Sequence, residues 1–198
     1  MLNVIWLEGL PGAGKSTIIE ALERDYKRQL LVFPKTDLIS IFYKGFNFPF
    51  NKYCDVNYDS AIAIEFLKAS LLNAWKDDSI TVVGERSYVS SIVYYTALYN
   101  KSLFSNKNLK ILLNSFLSMQ KNYKEHFLYI DATPEISREF DKHNVTSFWS
   151  SADNCSLVRS AYFDFFKKTD KSSYIIKRDT LENVKRNSKC FVEKIING

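Results

Sequence analysis

The sequence predicts one α/β domain built on a parallel sheet with helices on both faces. Three observations carry this. Short apolar runs of strand length alternate with longer segments of helical period. The run Ile80-Thr81-Val82-Val83 is β-branched and lacks polar alternation, as expected of a strand buried on both faces. Between the first apolar run and the first periodic segment stands the glycine-rich turn Gly9-Leu10-Pro11-Gly12-Ala13-Gly14-Lys15-Ser16-Thr17.

Taken in order, a first strand is expected over 3–7, then the turn, then a helix over about 15–28. Leu30-Leu31-Val32-Phe33 forms a second strand, stopped by Pro34. Residues 36–58 are aromatic and irregular. A long helix is expected over about 59–76, with Ile62, Phe66, Ala69, Leu72 and Asn73 on one face. The third strand is the run at 80–83. Helices follow over about 88–99 and 107–124, the second placing Leu109, Leu112, Leu113, Phe116 and Tyr123 at helical spacing. Phe127-Leu128-Tyr129-Ile130 is the fourth strand, and Pro134 opens the next helix at a favoured first-turn position. Leu157, Val158, Ala161, Tyr162, Phe165 and Phe166 mark a further helix. The strand Ser173-Tyr174-Ile175-Ile176 and a helix from Leu181 to Ile196 close the chain.

Composition narrows the class. The 198 residues fit one domain spanning 1–198, and 46% hydrophobic content argues for a substantial core. No apolar stretch approaches the ~18 residues of a membrane span. The first apolar run is about four residues long, too short for a signal peptide. Cys54, Cys155 and Cys190 are an odd set without close pairs, so free thiols and a cytoplasmic location are expected. His126 and His143 do not make a metal site. The net charge is +5, and the excess lies late: residues 142–198 carry 11 basic and 6 acidic side chains, whereas 1–141 carry 16 of each. Such a bias suits either a solvated surface or attraction of a polyanion such as a nucleotide. No basic block, zinc-finger spacing or aromatic–basic stripe points to nucleic acid.

The turn at 9–17 fits G-x-x-x-x-G-K-[ST], a pattern that arises by chance in roughly 0.007 chains of this length. Here it also has its required context, a strand before and a helix after. Glycines let the backbone turn its N–H groups inward, and the helix N-terminus adds partial positive charge. Gly9, Gly12, Ala13, Gly14, Lys15, Ser16 and Thr17 are therefore the candidate residues for binding ATP. Lys15 is expected at the β- and γ-phosphates, Ser16 as a ligand of Mg²⁺, and Thr17 at the α-phosphate.

A nucleotide-binding loop leaves several fates for the nucleotide. A GTPase needs an N-K-x-D reader, and Asn51-Lys52-Tyr53-Cys54-Asp55 places its Asp one position late. A motor ATPase would carry two acidic residues after a buried strand. The third strand runs instead into Gly84-Glu85-Arg86-Ser87. One carboxylate followed by an arginine suits a kinase: Glu85 holds Mg²⁺ and Arg86 neutralises phosphates. Ligands bind at the carboxyl ends of strands in such sheets, where both residues fall.

At these residues the chain resembles a known group. "TVVGERSYVSSIVYY" resembles the D/E-R-x-x-x-S segment of thymidylate and deoxynucleoside kinases, with Arg86 and Ser90 in the matched positions. "FLYIDATPEIS" resembles the Y-L-D-x-x-P-E segment of thymidylate kinases, and "LEGLPGAGKST" the group's phosphate loop. "LVRSAYFDFFKK", "SYIIKRDTLENV" and "VEKI" are similar to its closing helix–strand–helix. The resemblance implies a three-layer P-loop fold of about five strands in the order 2-3-1-4-5. It implies a lid over about 136–156, with Arg138 and Lys142 as lid cations and His143 and Arg159 as further candidates. It also implies a small-molecule phosphoryl acceptor and a homodimer.

The acceptor is where the sequence departs from the group. Deoxynucleoside kinases place a catalytic Glu before a Pro at the end of the second strand, and here that position is Phe33, which takes no proton. A phosphate acceptor needs no such base. It needs cations to hold two anions together, and Lys35 and Arg86 are candidates. This favours a nucleoside monophosphate, thymidylate-like, as acceptor. Against it, Pro11 replaces the Asp usual in thymidylate kinases, and the expected base-reading Arg is missing from Ala61 to Lys68. That stretch offers Glu65, which inside the acceptor pocket would favour a donor-rich or cationic acceptor, and on the helix exterior would simply be solvated. Phe42, Phe46, Phe48, Tyr88, Tyr94 and Tyr95 are aromatic candidates for stacking on a planar acceptor or for the core. A kinase of a nucleoside or antibiotic-like compound, and a nucleotide-binding regulator with little catalysis, remain the alternatives.

Overall fold

The computed structural model describes residues 1–33, 53–140, 151–169 and 173–198, with only the backbone described over 53–60. Lys35, Phe42, Phe46, Phe48, Lys142 and His143 lie outside the described residues. Five strands form one sheet: β1 (Asn3–Gly9), β2 (Leu30–Val32), β3 (Thr81–Glu85), β4 (Lys124–Asp131) and β5 (Ser173–Lys177). Their order is β2-β3-β1-β4-β5 and every pairing is parallel, as the resemblance implied. The helices are α1 (Lys15–Asp25), α2 (Tyr53–Ala74), α3 (Tyr88–Asn100), α4 (Asn106–Leu117), α5 (Pro134–Phe140), α6 (Ala152–Lys168) and α7 (Leu181–Ile196). None of the described helices is long and apolar enough to cross a membrane.

Strand alternation divides the core in two. Val4, Trp6, Val82, Phe127 and Tyr129 face α2, α3, α4 and α6. Ile5, Leu7, Val83, Leu128 and Ile130 face α1 and α7. Each large side chain fully buried this way stabilises the fold by about 1.5–3 kcal/mol. Gly84 is required by this packing. A Cβ there would lie 2.4 Å from the Trp6 ring, so only glycine lets the indole cross β3.

At four elements the departure from the periodicity reading has a visible cause. The helix expected to run to 124 stops at Leu117, because Lys124 already pairs with β1 and its amide bonds Leu2 O at 2.9 Å. β1 and β4 are longer than their apolar runs, since each is paired on both sides and the ladder extends past the last apolar residue. On α2 the buried face is Ala61, Ile64, Glu65, Lys68, Ala69 and Leu72, whereas Phe66 faces outward. The expected face was rotated because an apolar count cannot see that a Glu and a Lys satisfy each other inside.

Candidate active site

The loop between β1 and α1 is built with its carbonyls turned into the protein. Gly9, Gly12 and Gly14 all have positive φ. At Gly9, φ is 141° and a Cβ would lie 2.6 Å from Ile130 O, so no other residue fits there. Lys15 is buried and its Nζ donates to Gly9 O at 3.1 Å and Leu10 O at 2.8 Å. Ser137 Oγ donates to Pro11 O at 2.6 Å. Arg178 Nη1 donates to Gly12 O at 3.2 Å and Ala13 O at 2.8 Å. Five consecutive carbonyls are thus engaged by three side chains. Amides of a loop held this way, at the N-terminus of α1, form an anion site. Ser137 and Arg178 escaped the sequence reading. They stand over a hundred residues from the loop, and although the segments FLYIDATPEIS and SYIIKRDTLENV contain them, nothing local ties them to its carbonyls.

β3 lies beside β1 with Leu7 opposite Glu85, which brings the Glu85 carboxylate against the start of α1. Ser16 Oγ donates to Glu85 Oε2 at 2.8 Å. Glu85 Oε1 lies 3.8 Å from Lys15 Nζ and 3.9 Å from Arg86 Nε. A hydroxyl and a carboxylate side by side, both hard oxygen donors, fit Mg²⁺ chelated together with phosphate oxygens. The expected metal pair is therefore brought together. Thr17 is exposed on the first turn of α1.

Arg86 follows at the strand end with φ 61°, a left-handed conformation that costs a non-glycine residue about 1–3 kcal/mol. Three contacts hold it there. Its amide donates to Leu7 O at 3.0 Å, its carbonyl accepts from Lys68 Nζ at 3.0 Å, and its Nη1 donates to Tyr94 Oη at 2.9 Å. Burial pushes the Tyr94 phenol above its ordinary pKa even though Arg86 opposes the shift, so Tyr94 stays a neutral partner.

Directly behind Arg86 lies a carboxylate that the loop motif contains but to which the sequence reading gave no role. Glu8 has no exposed surface. Its Oε1 accepts from Ser87 N at 2.8 Å and Ser87 Oγ at 2.6 Å. Its Oε2 accepts from Ser90 Oγ at 2.5 Å and Tyr162 Oη at 3.1 Å. Ser90, an expected substrate contact, is therefore buried and donates to Glu8, with Tyr162 Oη 2.7 Å from its Oγ. Burial, with Glu8 next, raises the Tyr162 phenol well above its ordinary pKa. The signals for Glu8 in the sequence are its place at the head of the LEGLPGAGKST segment and its position as an acidic residue ending an apolar strand.

The remaining expected residues divide between core and surface. Phe33 is buried edge-on to Trp6 at 6.1 Å and serves as a wall of the core. Glu65 is inside, 7% exposed, and accepts from Lys68 Nζ at 2.7 Å. Burial raises its carboxyl pKa against the opposing pull of Lys68. Arg138 is exposed on α5. Arg159, on α6, donates from Nε to Asp131 Oδ1 at 2.5 Å and from Nη2 to Oδ2 at 2.9 Å, a bidentate pair at the carboxyl end of β4. That bond raises the Arg159 pKa, keeping the cation beside the phosphate loop's end of the sheet. Tyr129 stacks on Tyr162 at 4.9 Å, and its buried hydroxyl has no hydrogen-bond partner among the described residues.

No family model matches this sequence, and no curated protein matches it significantly. Solved structures do match in shape. A deoxyadenosine kinase from M. mycoides, with products dCMP and a flexible dCDP bound, superposes with a TM-score of 0.70 at 12% identity, covering 97% of this chain and 99% of that one. The same enzyme with dATP bound gives 0.69 at 11% identity, and with dCTP bound 0.68 at 11%, each covering 96% of this chain and 99% of that one. The chain has a P-loop kinase fold. At such identity the likeness is one of architecture. Within that kinase fold, Lys15, Ser16, Glu85 and Arg86 meet at the carboxyl ends of β1 and β3, and Asp131–Arg159 closes the same edge from β4.

Proposed function

We propose that this chain transfers the γ-phosphoryl group of ATP to a nucleoside-type acceptor, a nucleoside monophosphate of the thymidylate kind. The observation that carries the phosphotransferase reading is the bond from Ser16 to Glu85, 2.8 Å long, beside buried Lys15. It joins a phosphate loop to a metal-binding carboxylate with an arginine next in sequence. Mg²⁺ held by Ser16 and Glu85 would neutralise charge on the triphosphate. Lys15 leaves the Gly9 and Leu10 carbonyls for the β- and γ-phosphates. Arg86 offers its remaining guanidinium N–H groups to the transferring group and to the acceptor. Positioning and electrostatics supply most of the acceleration in such transfers.

A monophosphate acceptor is supported by Phe33. The position that would hold a base is a buried ring, and a phosphate acceptor is already anionic. Glu65 adds a preference. Among the described residues its only hydrogen-bond donor is Lys68, which also bonds the Arg86 carbonyl. In this reading its carboxylate accepts an N–H or O–H from the acceptor. The second reading is a nucleoside hydroxyl as acceptor. The fold relative, a deoxyadenosine kinase seen with dCMP, dCTP and dATP, favours it, and Glu65 would then be the candidate base.

The deciding experiment is ADP production from ATP and Mg²⁺ against each nucleoside monophosphate, each nucleoside, and no acceptor. Stimulation by a monophosphate, thymidylate above all, is the expected result. Stimulation by nucleosides alone would transfer the assignment to the second reading. ATP binding with no stimulation across the panel would refute both.

A further inference from the structure

We infer that Glu8 is a positioning residue for Arg86, an inference that rests on the assignment of Arg86 to phosphoryl transfer. Glu8 is the last residue before the phosphate loop, yet its side chain faces away from the loop into the α3–α6 side of the sheet. There four donors converge on its two oxygens: Ser87 N, Ser87 Oγ, Ser90 Oγ and Tyr162 Oη. No cation lies within ion-pair distance of it among the described residues. Donors alone therefore satisfy this fully buried carboxylate. Such a group is a pure acceptor, and its place cannot be taken by a side chain that also donates without breaking at least one of the four bonds.

The geometry shows what the four bonds fix. Leu7 O accepts from the Arg86 amide at 3.0 Å, and Glu8 Oε1 accepts from the next amide, Ser87, at 2.8 Å. Two successive residues of β1 thus grip two successive amides of the turn leaving β3. Arg86 stands between those grips at φ 61°. A non-glycine residue keeps that conformation only where its surroundings impose it. Ser87, whose hydroxyl donates to Glu8, also accepts from Val89 N at 3.1 Å as the N-cap of α3. One carboxylate therefore sets the turn that carries Arg86 and the start of α3 together. Glu8 touches no reacting atom in this arrangement and acts through Arg86.

The test is Glu8→Gln, alone and in an Arg86→Ala background, with the acceptor that the panel identifies. Alone, it is expected to lower kcat about 100-fold while ATP affinity, measured by calorimetry, stays within about threefold. In the Arg86→Ala background it is expected to change kcat by less than about threefold, because the residue it positions is gone. Full activity of Glu8→Gln, or losses that multiply in the double variant, would overturn the inference. Glu8→Asp guards against a Gln variant that fails to fold. It keeps the charge, draws it back by one methylene, and is expected to lose rate at unchanged ATP affinity. A readout free of turnover separates this inference from the kinase assignment: the Arg86 Nε–H signal in ¹⁵N-arginine spectra. It is expected to be ordered in the wild-type protein and averaged in both Glu8 variants. An equally ordered signal in the variants would overturn the positioning role even if no acceptor is ever found.

Discussion

Glu85 Oε2 accepts a hydrogen bond from Ser16 Oγ at 2.8 Å, although 69 residues separate the two in sequence. The bond exists because β3 pairs directly with β1, so the end of one strand stands beside the loop that leaves the other. It marks the proposed metal site and gives the first prediction. Glu85→Gln keeps the hydrogen bond but removes the charge. Turnover is expected to fall at least 100-fold at ordinary Mg²⁺ and to recover in part as Mg²⁺ is raised. A titration of ADP production against Mg²⁺ measures this, and an unchanged Mg²⁺ dependence would remove Glu85 from the metal site.

Arg178 holds two carbonyls of the phosphate loop from the far end of the chain. Arg178→Ala leaves the Gly12 and Ala13 carbonyls without that donor, a loss of about 1–3 kcal/mol. ATP affinity is expected to fall roughly tenfold, because the loop amides lose their fixed direction. Calorimetric titration with ATP checks it. Wild-type affinity in the variant would show that the loop keeps its shape unaided.

Glu65 makes stability depend on pH. Burial raises its pKa in the folded protein above the ordinary carboxylate range, against the opposing pull of Lys68. The folded state then binds the proton more tightly than the unfolded state, so this contribution is fully present below the unfolded value and is lost as pH rises through the folded one. Each unit of difference is worth about 1.4 kcal/mol. Glu65→Gln does not titrate, so its stability relative to wild type is expected to improve as pH rises from 4 to 8. Thermal melts of both proteins across that range test it, and a gap independent of pH would contradict the assignment.

The Tyr129 hydroxyl is buried without a hydrogen-bond partner among the described residues. Removing it while keeping the ring leaves the stacking on Tyr162 intact. Tyr129→Phe is expected to stabilise the fold by about 1 kcal/mol, a rise in Tm of roughly 2–4 °C. A lower Tm would mean that the hydroxyl finds a partner in solution.

These cases show unevenly how much was legible beforehand. The phosphate loop and the five strands could be read directly, since a loop with fixed spacing and runs with a fixed period are local patterns. Glu85 and Arg86 were legible for the same reason, being tied to the end of a recognisable strand. The inward placement of Glu65 was not, because burial of a charged pair leaves no apolar period behind. Phe33 and Ser90 were legible as positions at the right strand and helix, but the structure gives them to Trp6 and to Glu8.

By itself, the sequence determined the phosphate loop, the metal-pair residue types and a parallel α/β sheet. Each of these depends on neighbours within one turn or one strand. Only the tertiary structure decided how the site is braced: Glu8 across 79 residues to Ser87, Lys68 across 18 to the Arg86 carbonyl, and Arg178 across 165 to Ala13. Hydrogen bonds between side chains and distant backbone have no periodicity to read. Their partners are chosen by which strand ends the sheet order brings side by side.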